Sequence, residues 1–381
     1  MSQPPLTSAA QVAATPTIHV SLGTTRRYVV TVFTVALLLR VLVVLWLNYA
    51  PVRYRPVMPI FAADALTYDA LAKNVLAGHG YELDGDYREY TRIPPLFSYY
   101  LAGLYAVWGS SVVGTGLVNA LLAAFTSVLL FYIVRDGLTR RGRSPTVVDA
   151  SNAASDHMVA RIAYVTALMF AAYPLEIFNT PYVLKENFSI FLTVSFVFAW
   201  VRFVGAALNA EPTPQPRVPG WALLAGLALG LSVLSRYTHL GLVVPFVLIN
   251  GWLAWRYRPQ AARLTLGTGL ALLAFALTLA PWMARNYRLF GAPVLSSQGP
   301  ARSLYTSNSS QSEPETSGYF EGHGTAGQHE NIVAAQTSND LVLQERIYAR
   351  DTARSAFSRP AHLASLLGAK VVCMWRPVWA G

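Results

Sequence analysis

VVTVFTVALLLRVLVVLWL, residues 29–47, decides the fold because it is a long apolar run that only one charged residue, Arg40, interrupts. About 20 helical residues cross the ~30 Å hydrocarbon core of a bilayer. The run is too long for the apolar core of a cleaved signal peptide, and no small-residue cleavage site follows it closely. We therefore predict a retained first membrane helix, in which Arg40 has a structural role and either faces the bundle interior or snorkels.

The composition of the whole sequence agrees with a membrane protein. Of the 381 residues, 54% are hydrophobic and 13% are charged, and the mean hydropathy is +0.37, which exceeds what a soluble core could bury. The net charge is +10, but the arginines are scattered among apolar spans, which argues against a nucleic-acid partner. The single cysteine, Cys373, excludes an intrachain disulfide framework and a Cys-based zinc site.

Further apolar spans follow, separated by Pro, Gly or charged residues such as Pro174 and Pro281. Spans of membrane-crossing length are predicted at residues 29–49, 113–134, 159–178, 181–204, 221–235, 239–255 and 264–283. The positive-inside rule places Arg26 and the basic run 135–143 on the same, inner side, so only one crossing fits between them. Pro94–Trp108 is therefore predicted to be an interfacial or re-entrant helix. The predicted fold class is an all-α polytopic membrane bundle with about seven or eight crossings.

Four regions are predicted along the chain. Residues 1–25, rich in Ser, Thr, Pro and Ala, form a disordered cytoplasmic tail. Residues 26–295 form the transmembrane helical domain, with an external loop at about 50–112. Residues 296–362 form an extracytoplasmic polar loop, and 363–381 form an apolar segment that could start a further helix.

The acidic residues indicate which face of the membrane carries the function. By this topology only Asp136, Asp149, Asp156 and Glu211 of the 19 acidic residues lie inside. A protein whose acidic groups gather on one face is expected to work there. The alternative is that long external loops simply need polar residues.

Two acids, Asp64 and Asp69, follow the first membrane helix in the external loop. Carboxylates close to a membrane are costly unless they are paired or have a function. Lys73 lies four residues after Asp69, at the spacing of a helical ion pair, so the structural alternative for Asp69 is this pair. For Asp64, which has no such neighbour in sequence, the alternative is a helix cap.

Two further acids and two arginines fall on the same predicted face. Glu176 and Glu186 flank the break between the third and fourth spans, where Glu186 could also favour a helix N-terminus or pair with Lys185. Arg236 in LSRYTHL and Arg285 in PWMARNYRLFG lie at span ends, where guanidinium groups are suited to phosphate. Snorkelling to lipid headgroups is the alternative for each arginine. In this topology Arg285 and Arg288 lie outside, against the positive-inside rule.

Several common chemistries find no support in the sequence. It contains no Gly-rich phosphate loop, serine nucleophile elbow or zinc-binding histidine helix, which argues against an ATPase, a lipase and a metalloprotease. His79 is a lone histidine in AGHGYEL, and we interpret it as a turn residue rather than a metal ligand.

The order of several segments resembles a known family. These segments are DALTYDALAKNVLAGHGY, RIPPLFSYYLAGLYAVWG, PYVLKENFSIFL, LSRYTHL, PWMARNYRLFG and SLYTSN. Together they resemble the GT-C membrane glycosyltransferases, in the branch of protein mannosyltransferases, aminoarabinose transferases and bacterial lipopolysaccharide-sugar transferases. The likeness covers nearly the whole chain from about Arg26 onward. One departure is Ala65, at a position where the family often has a second acid.

This resemblance implies transfer of a sugar from a polyprenyl phosphate, with inversion, on the non-cytoplasmic face of a membrane. The acceptor would be a lipid, glycan or protein hydroxyl, and the expected location is the bacterial inner membrane with the site facing the periplasm. Asp64 and Glu186 would be catalytic, and Arg236 and Arg285 would lie near the lipid phosphate. The predicted substrate-binding set also includes Asp69, Lys73, Arg92 and Tyr287. No cofactor is expected, although Asp64 and Glu186 could hold a divalent cation.

Two other functions are alternatives to a glycosyltransferase, and the sequence is shorter than expected for the family. A transporter or flippase of a lipid-linked sugar would also need apolar helices, arginines and acids, but the sequence has no evident internal repeat. A non-catalytic assembly partner would need neither Asp64 nor Arg285 beyond folding. Family members often have more membrane helices, so we expect this sequence, which stops at Gly381, to be a fragment or a short member.

Overall fold

A computed structural model describes residues 22–49, 63–86, 90–139, 150–208, 217–297, 300–308 and 340–375. Within these ranges all regular structure is helical, which confirms the predicted all-α class. The helices are α1 Leu22–Tyr49, α2 Ala63–Leu76, α3 Pro95–Trp108, α4 Val112–Thr139, α5 Ala150–Ala171, α6 Pro174–Asn179, α7 Glu186–Leu208, α8 Arg217–Ser235, α9 Val243–Arg256, α10 Ala261–Phe290, α11 Pro300–Asn308, α12 Leu341–Ser358 and α13 Pro360–Trp375.

Six stretches of the described chain are long and apolar enough to cross a membrane. They are Gly23–Tyr49, Val112–Thr139, Glu186–Leu208, Arg217–Ser235, Tyr237–Arg256 and Arg258–Phe290. The protein is therefore a polytopic membrane protein, as predicted. The remaining predicted span, 159–178, falls on α5 and the short helix α6. The helix is interrupted there because Pro174, at the first turn of α6, cannot continue the preceding hydrogen-bond ladder.

The described residues divide into two compact units. The first draws on Met1–Ile60, Ser111–Ala225 and Val247–Leu270. The second draws on Phe61–Ser110, Gly226–Phe246 and Ala271–Gly381. Helices α8, α9 and α10 contribute residues to both units.

The first unit packs α1, α4, α5 and α7 through small side chains and one buried cation. Ala36, Ala124 and Ala171 form one fully buried cluster. Arg40 is 0% exposed, and its guanidinium donates hydrogen bonds to the carbonyl oxygens of Ala171 at 2.7 Å and Ala36 at 3.2 Å. It also lies over the Phe170 ring at 5.8 Å. Arg40 thus satisfies a carbonyl at the C-terminal end of α5, the structural role expected for it.

In the second unit, α2 and α3 pack on each other around aromatic side chains. The Tyr68 and Phe97 rings meet edge to face, with centroids 5.1 Å apart. The 14 residues of α3 make a helix about 21 Å long, which is shorter than the hydrocarbon core. This length is compatible with the predicted interfacial or re-entrant helix, whose position in a membrane stays a prediction.

Helix α10 continues through Pro281 to Phe290, so the break predicted at Pro281 is wrong. A proline within a membrane helix is tolerated because neighbouring groups can satisfy the freed carbonyl oxygen. Arg285 and Arg288 are consequently presented on the last turns of a helix rather than in a loop.

Parts of the predicted regions lie outside the described residues. Residues 1–21 of the predicted tail lie outside the described part, and residues 22–25 begin α1. The predicted loop 296–362 contains α11 and α12, with residues 309–339 outside the described part. Helix α13 covers most of the predicted C-terminal apolar segment, of which residues 376–381 are not described. The functional meaning of these regions stays a prediction.

The close approach of α8 and α10 gives a stability prediction. A Cβ at Gly226 would lie 2.0 Å from the carbonyl oxygen of Ala271, so Gly226→Ala must push two backbones apart. We expect a loss of about 1–3 kcal/mol, seen as a lower melting temperature of the detergent-solubilised protein.

The matched control is Gly220→Ala in the same helix, where an added Cβ meets no atom within 4 Å. This variant should keep or slightly raise the melting temperature, because alanine favours helix. Equal melting temperatures for both variants would contradict the described crossing of α8 and α10.

Candidate functional site at the C-terminal end of α10

The loop between α2 and α3 is held to α10 by the guanidinium group of Arg285. Its Nη1 atom donates to Thr91 Oγ1 at 3.2 Å and to Asn286 Oδ1 at 3.0 Å, and its Nη2 atom donates to the Tyr81 carbonyl oxygen at 3.0 Å. Asn286 is fully buried and donates in turn to the Val294 carbonyl oxygen at 2.9 Å. Thr91 and Tyr81, which lie about 200 residues away in sequence, thereby fix the orientation of the Arg285 side chain.

Aromatic side chains surround this guanidinium group. It lies 4.6 Å from the ring of Trp282 and 5.9 Å from that of Tyr81, at cation–π distances. The Tyr81 ring meets Trp282 edge to face at 5.3 Å and stacks on Tyr99 at 5.7 Å. Tyr237 reaches the same loop, where its hydroxyl donates to the Thr91 carbonyl oxygen at 3.4 Å. The positive charge therefore lies in partly apolar surroundings, where its interaction with an anion is strengthened.

The Tyr81 hydroxyl helps to fix the loop from within. It is buried, and burial raises the pKa of Tyr81, so the hydroxyl remains a donor in alkaline solution as well as at neutral pH. It donates to the carbonyl oxygens of Ile93 at 3.2 Å and Pro94 at 3.3 Å, just before α3 begins. Tyr81 thus connects its own loop segment with the entry to α3.

An open cleft of about 270 Å³ lies where this loop meets α10. Its lining residues are His79, Gly80, Tyr81, Glu82, Arg285, Arg288 and Leu289. Arg285 and Arg288 are three residues apart and so share one face of the helix. The three hydrogen bonds of Arg285 leave two of its five N–H donors for a ligand. A cleft with two guanidinium groups and an aromatic wall can bind a phosphate or another anion.

The acids predicted on α2 have different surroundings. Asp69 accepts hydrogen bonds from Lys73 Nζ at 2.7 Å and from the Tyr105 hydroxyl at 2.8 Å. Burial raises the pKa of Tyr105, and the hydrogen bond to Asp69 raises it further. The helical ion pair considered for Asp69 is therefore present. Asp64 is exposed in the first turn of α2, where a carboxylate also favours the positive end of the helix dipole.

The other predicted substrate-binding residues, Arg236, Arg92 and Tyr287, are exposed and each adjoins in sequence a residue that contacts Arg285 or its loop. Arg236 is exposed directly after α8, one residue before Tyr237, and its backbone N–H donates to the Ser232 carbonyl oxygen at 2.9 Å. Arg92 is exposed in the turn before α3. Tyr287 is exposed on α10 and does not line the cleft, because residues two apart on a helix point to different sides.

Glu186 begins α7 and belongs to the first unit, whereas Asp64, Arg236 and Arg285 belong to the second. The nearby Glu176 is buried on α6, outside the six apolar stretches. The Glu176 carboxylate lies close enough to interact electrostatically with the Arg40 guanidinium and with the Glu186 carboxylate. Glu186 therefore has the Glu176 carboxylate as a charged neighbour, and Glu176 in turn interacts with the buried Arg40. The catalytic role of Glu186 stays a prediction.

Six of the seven lining residues of the cleft are not among the site residues predicted from the sequence. Three of these six, Arg288, His79 and Glu82, carry basic or acidic side chains that could contact a ligand. Arg288 was considered only as an exception to the positive-inside rule, although its three-residue spacing from Arg285 was a usable signal. His79 and Glu82 lie in a turn, and nothing in the sequence indicates which part of the chain that turn meets. Their proximity to α10 depends on contacts across about 200 residues, as the Arg285–Tyr81 hydrogen bond with a separation of 204 residues illustrates.

Two comparisons with known proteins bear on this arrangement. A family model described as dolichyl-phosphate-mannose-protein mannosyltransferase matches residues 153–291. The S. cerevisiae protein O-mannosyltransferase Pmt1-Pmt2 complex bound to the sugar donor has a chain of similar structure, with a TM-score of 0.50 and 16% identity. The chain has a GT-C-like fold. The resemblance predicted from the sequence is confirmed at this level.

Both matches cover only part of a chain. The structural match covers 77% of this chain but 37% of the yeast chain, so this chain spans little more than a third of that protein. The family match includes Glu186, Arg236 and Arg285, and it begins after Asp64. No curated protein sequence matches the chain.

The Arg285 contacts predict how the loop responds when the guanidinium is replaced. Arg285→Lys keeps the charge but loses the planar fork, so the Thr91 and Tyr81 contacts cannot both be made. Each lost hydrogen bond to a charged group costs about 1.5–3 kcal/mol, so amide exchange in residues 77–94 should rise at least roughly tenfold.

Hydrogen exchange of the solubilised protein, read by mass spectrometry, measures this effect. Arg288→Lys is the control, since Arg288 is exposed and one turn away on the same helix. Unchanged exchange in residues 77–94 of the Arg285 variant would contradict the proposed clamp.

Proposed function

We propose that this chain is a glycosyltransferase that moves a sugar from a polyprenyl phosphate to an acceptor hydroxyl. The observation that carries the proposal is the oriented Arg285 guanidinium, which lies beside Arg288 at an aromatic-walled cleft. The GT-C-like fold supports it, as does a family match whose description names a lipid-phosphate mannose donor. The similar yeast structure holds a sugar donor.

The arginines would act on the leaving group. When the bond between the anomeric carbon and the phosphate oxygen breaks, negative charge grows on the phosphate. This leaving group needs positive charge rather than a proton, and fixed guanidinium groups in partly apolar surroundings supply it without reorganisation. Arg285 is held by its contacts to Thr91 and Tyr81, and we assign it the phosphate, with Arg288 and Arg236 as further cations.

Asp64 would act on the acceptor. An acceptor hydroxyl becomes a nucleophile as a base removes its proton, and an exposed carboxylate on α2 is suited to this step. A single displacement forms the new carbon–oxygen bond on the face opposite the leaving phosphate and so inverts the anomeric carbon. Glu186 would stabilise the positive charge that develops on the sugar ring, by analogy with glycosidases.

We further infer that the reaction takes place on the non-cytoplasmic face of the cell membrane. In a bacterium this is the inner membrane, and the site would face the periplasm. The arginine distribution supports this topology, because the positive-inside rule assigns the start of α1 and the basic run 135–143 to the cytoplasmic face. With the predicted crossing at 159–178 counted beside the six apolar stretches, the end of α10 falls on the opposite face. The acceptor would be a lipid, a glycan or a protein hydroxyl.

Transfer of a radiolabelled sugar from a polyprenyl phosphate by the purified protein tests the role of Asp64. Asp64→Asn keeps the shape of the side chain and removes the base, so the rate should fall by about 100- to 10,000-fold. Asp84→Asn is the matched control, because Asp84 is exposed in the same loop region and has a φ of 53° that Asn also adopts.

The outcomes separate the rival functions. Full transfer by Asp64→Asn would remove Asp64 from the role of base. If the wild type binds the lipid-linked sugar and moves it across a vesicle membrane, but transfers the sugar to no acceptor, a transporter or flippase would be favoured. A glycosyltransferase in which Glu186 participates should also lose activity in Glu186→Gln.

Binding of the product, unlabelled polyprenyl phosphate, tests the arginines independently of turnover. Arg285→Gln and Arg288→Gln each remove charged hydrogen-bond donors, so the dissociation constant should rise about 10- to 100-fold. Isothermal titration in detergent measures it, with Arg258→Gln, an exposed arginine of the first unit, as the control. Equal affinity in all variants would place the phosphate elsewhere.

A further inference from the structure

Helix α12 has one face that carries three arginines. Arg346, Arg350 and Arg354 are spaced four residues apart, so they follow one side of the helix, and all three are exposed. The helix is well defined at its start, because the Asp340 side chain accepts hydrogen bonds from the backbone N–H groups of Val342 and Leu343. This outward face of α12 also includes Val342, Leu343, Ala353 and Phe357.

The acids of the same helix point the other way. Glu345 accepts a hydrogen bond from the backbone N–H of Ala301 at 3.0 Å, at the start of α11, and Asp351 is half-buried. On this packed side the buried Tyr348 ring lies 5.4 Å from that of Tyr305. The charges of α12 are therefore separated, with negative groups against α11 and positive groups on the outward face.

Apolar side chains are interspersed with the three arginines. Phe357 is 86% exposed, and Leu343 and Val342 are 45% and 42% exposed. The adjoining helix α13 exposes Leu367, Val371 and Val372. Aromatic and aliphatic side chains beside arginines characterise helices that lie in a membrane interface, where apolar groups enter the acyl boundary and guanidinium groups remain at the headgroups.

We propose that the outward face of α12 binds the anionic phospholipid headgroups of the membrane that this protein spans. The charge of the face complements an anionic surface, and α12 belongs to a chain that is already held at a bilayer by its apolar helices. A soluble polyanion, such as an acidic glycan, would match the arginines but would leave Phe357 and Leu343 in water. The exposed apolar groups therefore favour lipid over a soluble partner.

The test follows the depth of α12 in vesicles that contain the protein with residues 1–381. The single cysteine is removed by Cys373→Ser, and Ala353→Cys on the outward face is labelled with a nitroxide. Paramagnetic resonance compares collisions with oxygen, which concentrates in lipid, and with a water-soluble nickel complex. Vesicles of phosphatidylcholine alone are compared with vesicles that contain equal parts of phosphatidylglycerol.

We expect the nitroxide to enter the lipid interface in phosphatidylglycerol vesicles. The triple variant Arg346→Gln, Arg350→Gln, Arg354→Gln should weaken this partition by about 100-fold, at roughly fivefold for each arginine. The control removes three exposed arginines elsewhere, Arg161→Gln, Arg217→Gln and Arg258→Gln, and should leave the depth unchanged. Equal melting temperatures in detergent verify that both variants are folded.

Two results would overturn the proposal. One is a nitroxide that stays equally accessible to nickel in both kinds of vesicle and in both triple variants. The other is a nitroxide that remains in water in both kinds of vesicle and becomes shielded only when heparin is added, which would indicate a soluble polyanionic partner. Because neither readout depends on turnover, a failure here is distinct from a failure of the proposed transferase activity.

Discussion

Every polar backbone group within the hydrocarbon must find its partner inside the protein, and this constraint shapes the whole chain. It explains why the described apolar stretches are helices, since a helix satisfies its own N–H and C=O groups. It also explains Arg40, which is fully buried and donates to carbonyl oxygens of α1 and α5. Burial of this guanidinium group is tolerated because its terminal nitrogens donate to carbonyl oxygens of two helices.

In the candidate site, too, a guanidinium group is held by hydrogen bonds from within the protein. Arg285 uses three of its five N–H donors to hold the α2–α3 loop and Asn286, and its side chain also lines the cleft. In the proposed reaction, one side chain would thus combine structural support with phosphate binding. Because the proposed phosphate and the loop would share this guanidinium group, we expect anion binding and loop order to be linked through Arg285.

The sequence was sufficient for the fold class and for most helices, because long apolar runs in a membrane protein leave few alternatives. It also indicated Arg285, Asp69 and the pairing of Asp69 with Lys73, which is local in sequence. Pro281 was misjudged, because a proline ends helices in water more reliably than in a membrane bundle. His79 and Glu82 could not be grouped with Arg285 and Arg288 beforehand, since their proximity depends on packing between distant segments rather than on local spacing.

The hydrogen bond between Arg285 and Tyr81 joins residues 204 positions apart, which has a consequence for biosynthesis. A membrane protein is inserted as it is translated, so the α2–α3 segment emerges long before α10 is made. During that interval the segment must persist without its anchor, with Tyr81, Tyr99 and neighbouring aromatic groups open to other partners. A ribosome that stalls before Arg285 would release a chain with this segment unsecured, which is the kind of exposed surface that quality-control proteases and chaperones recognise.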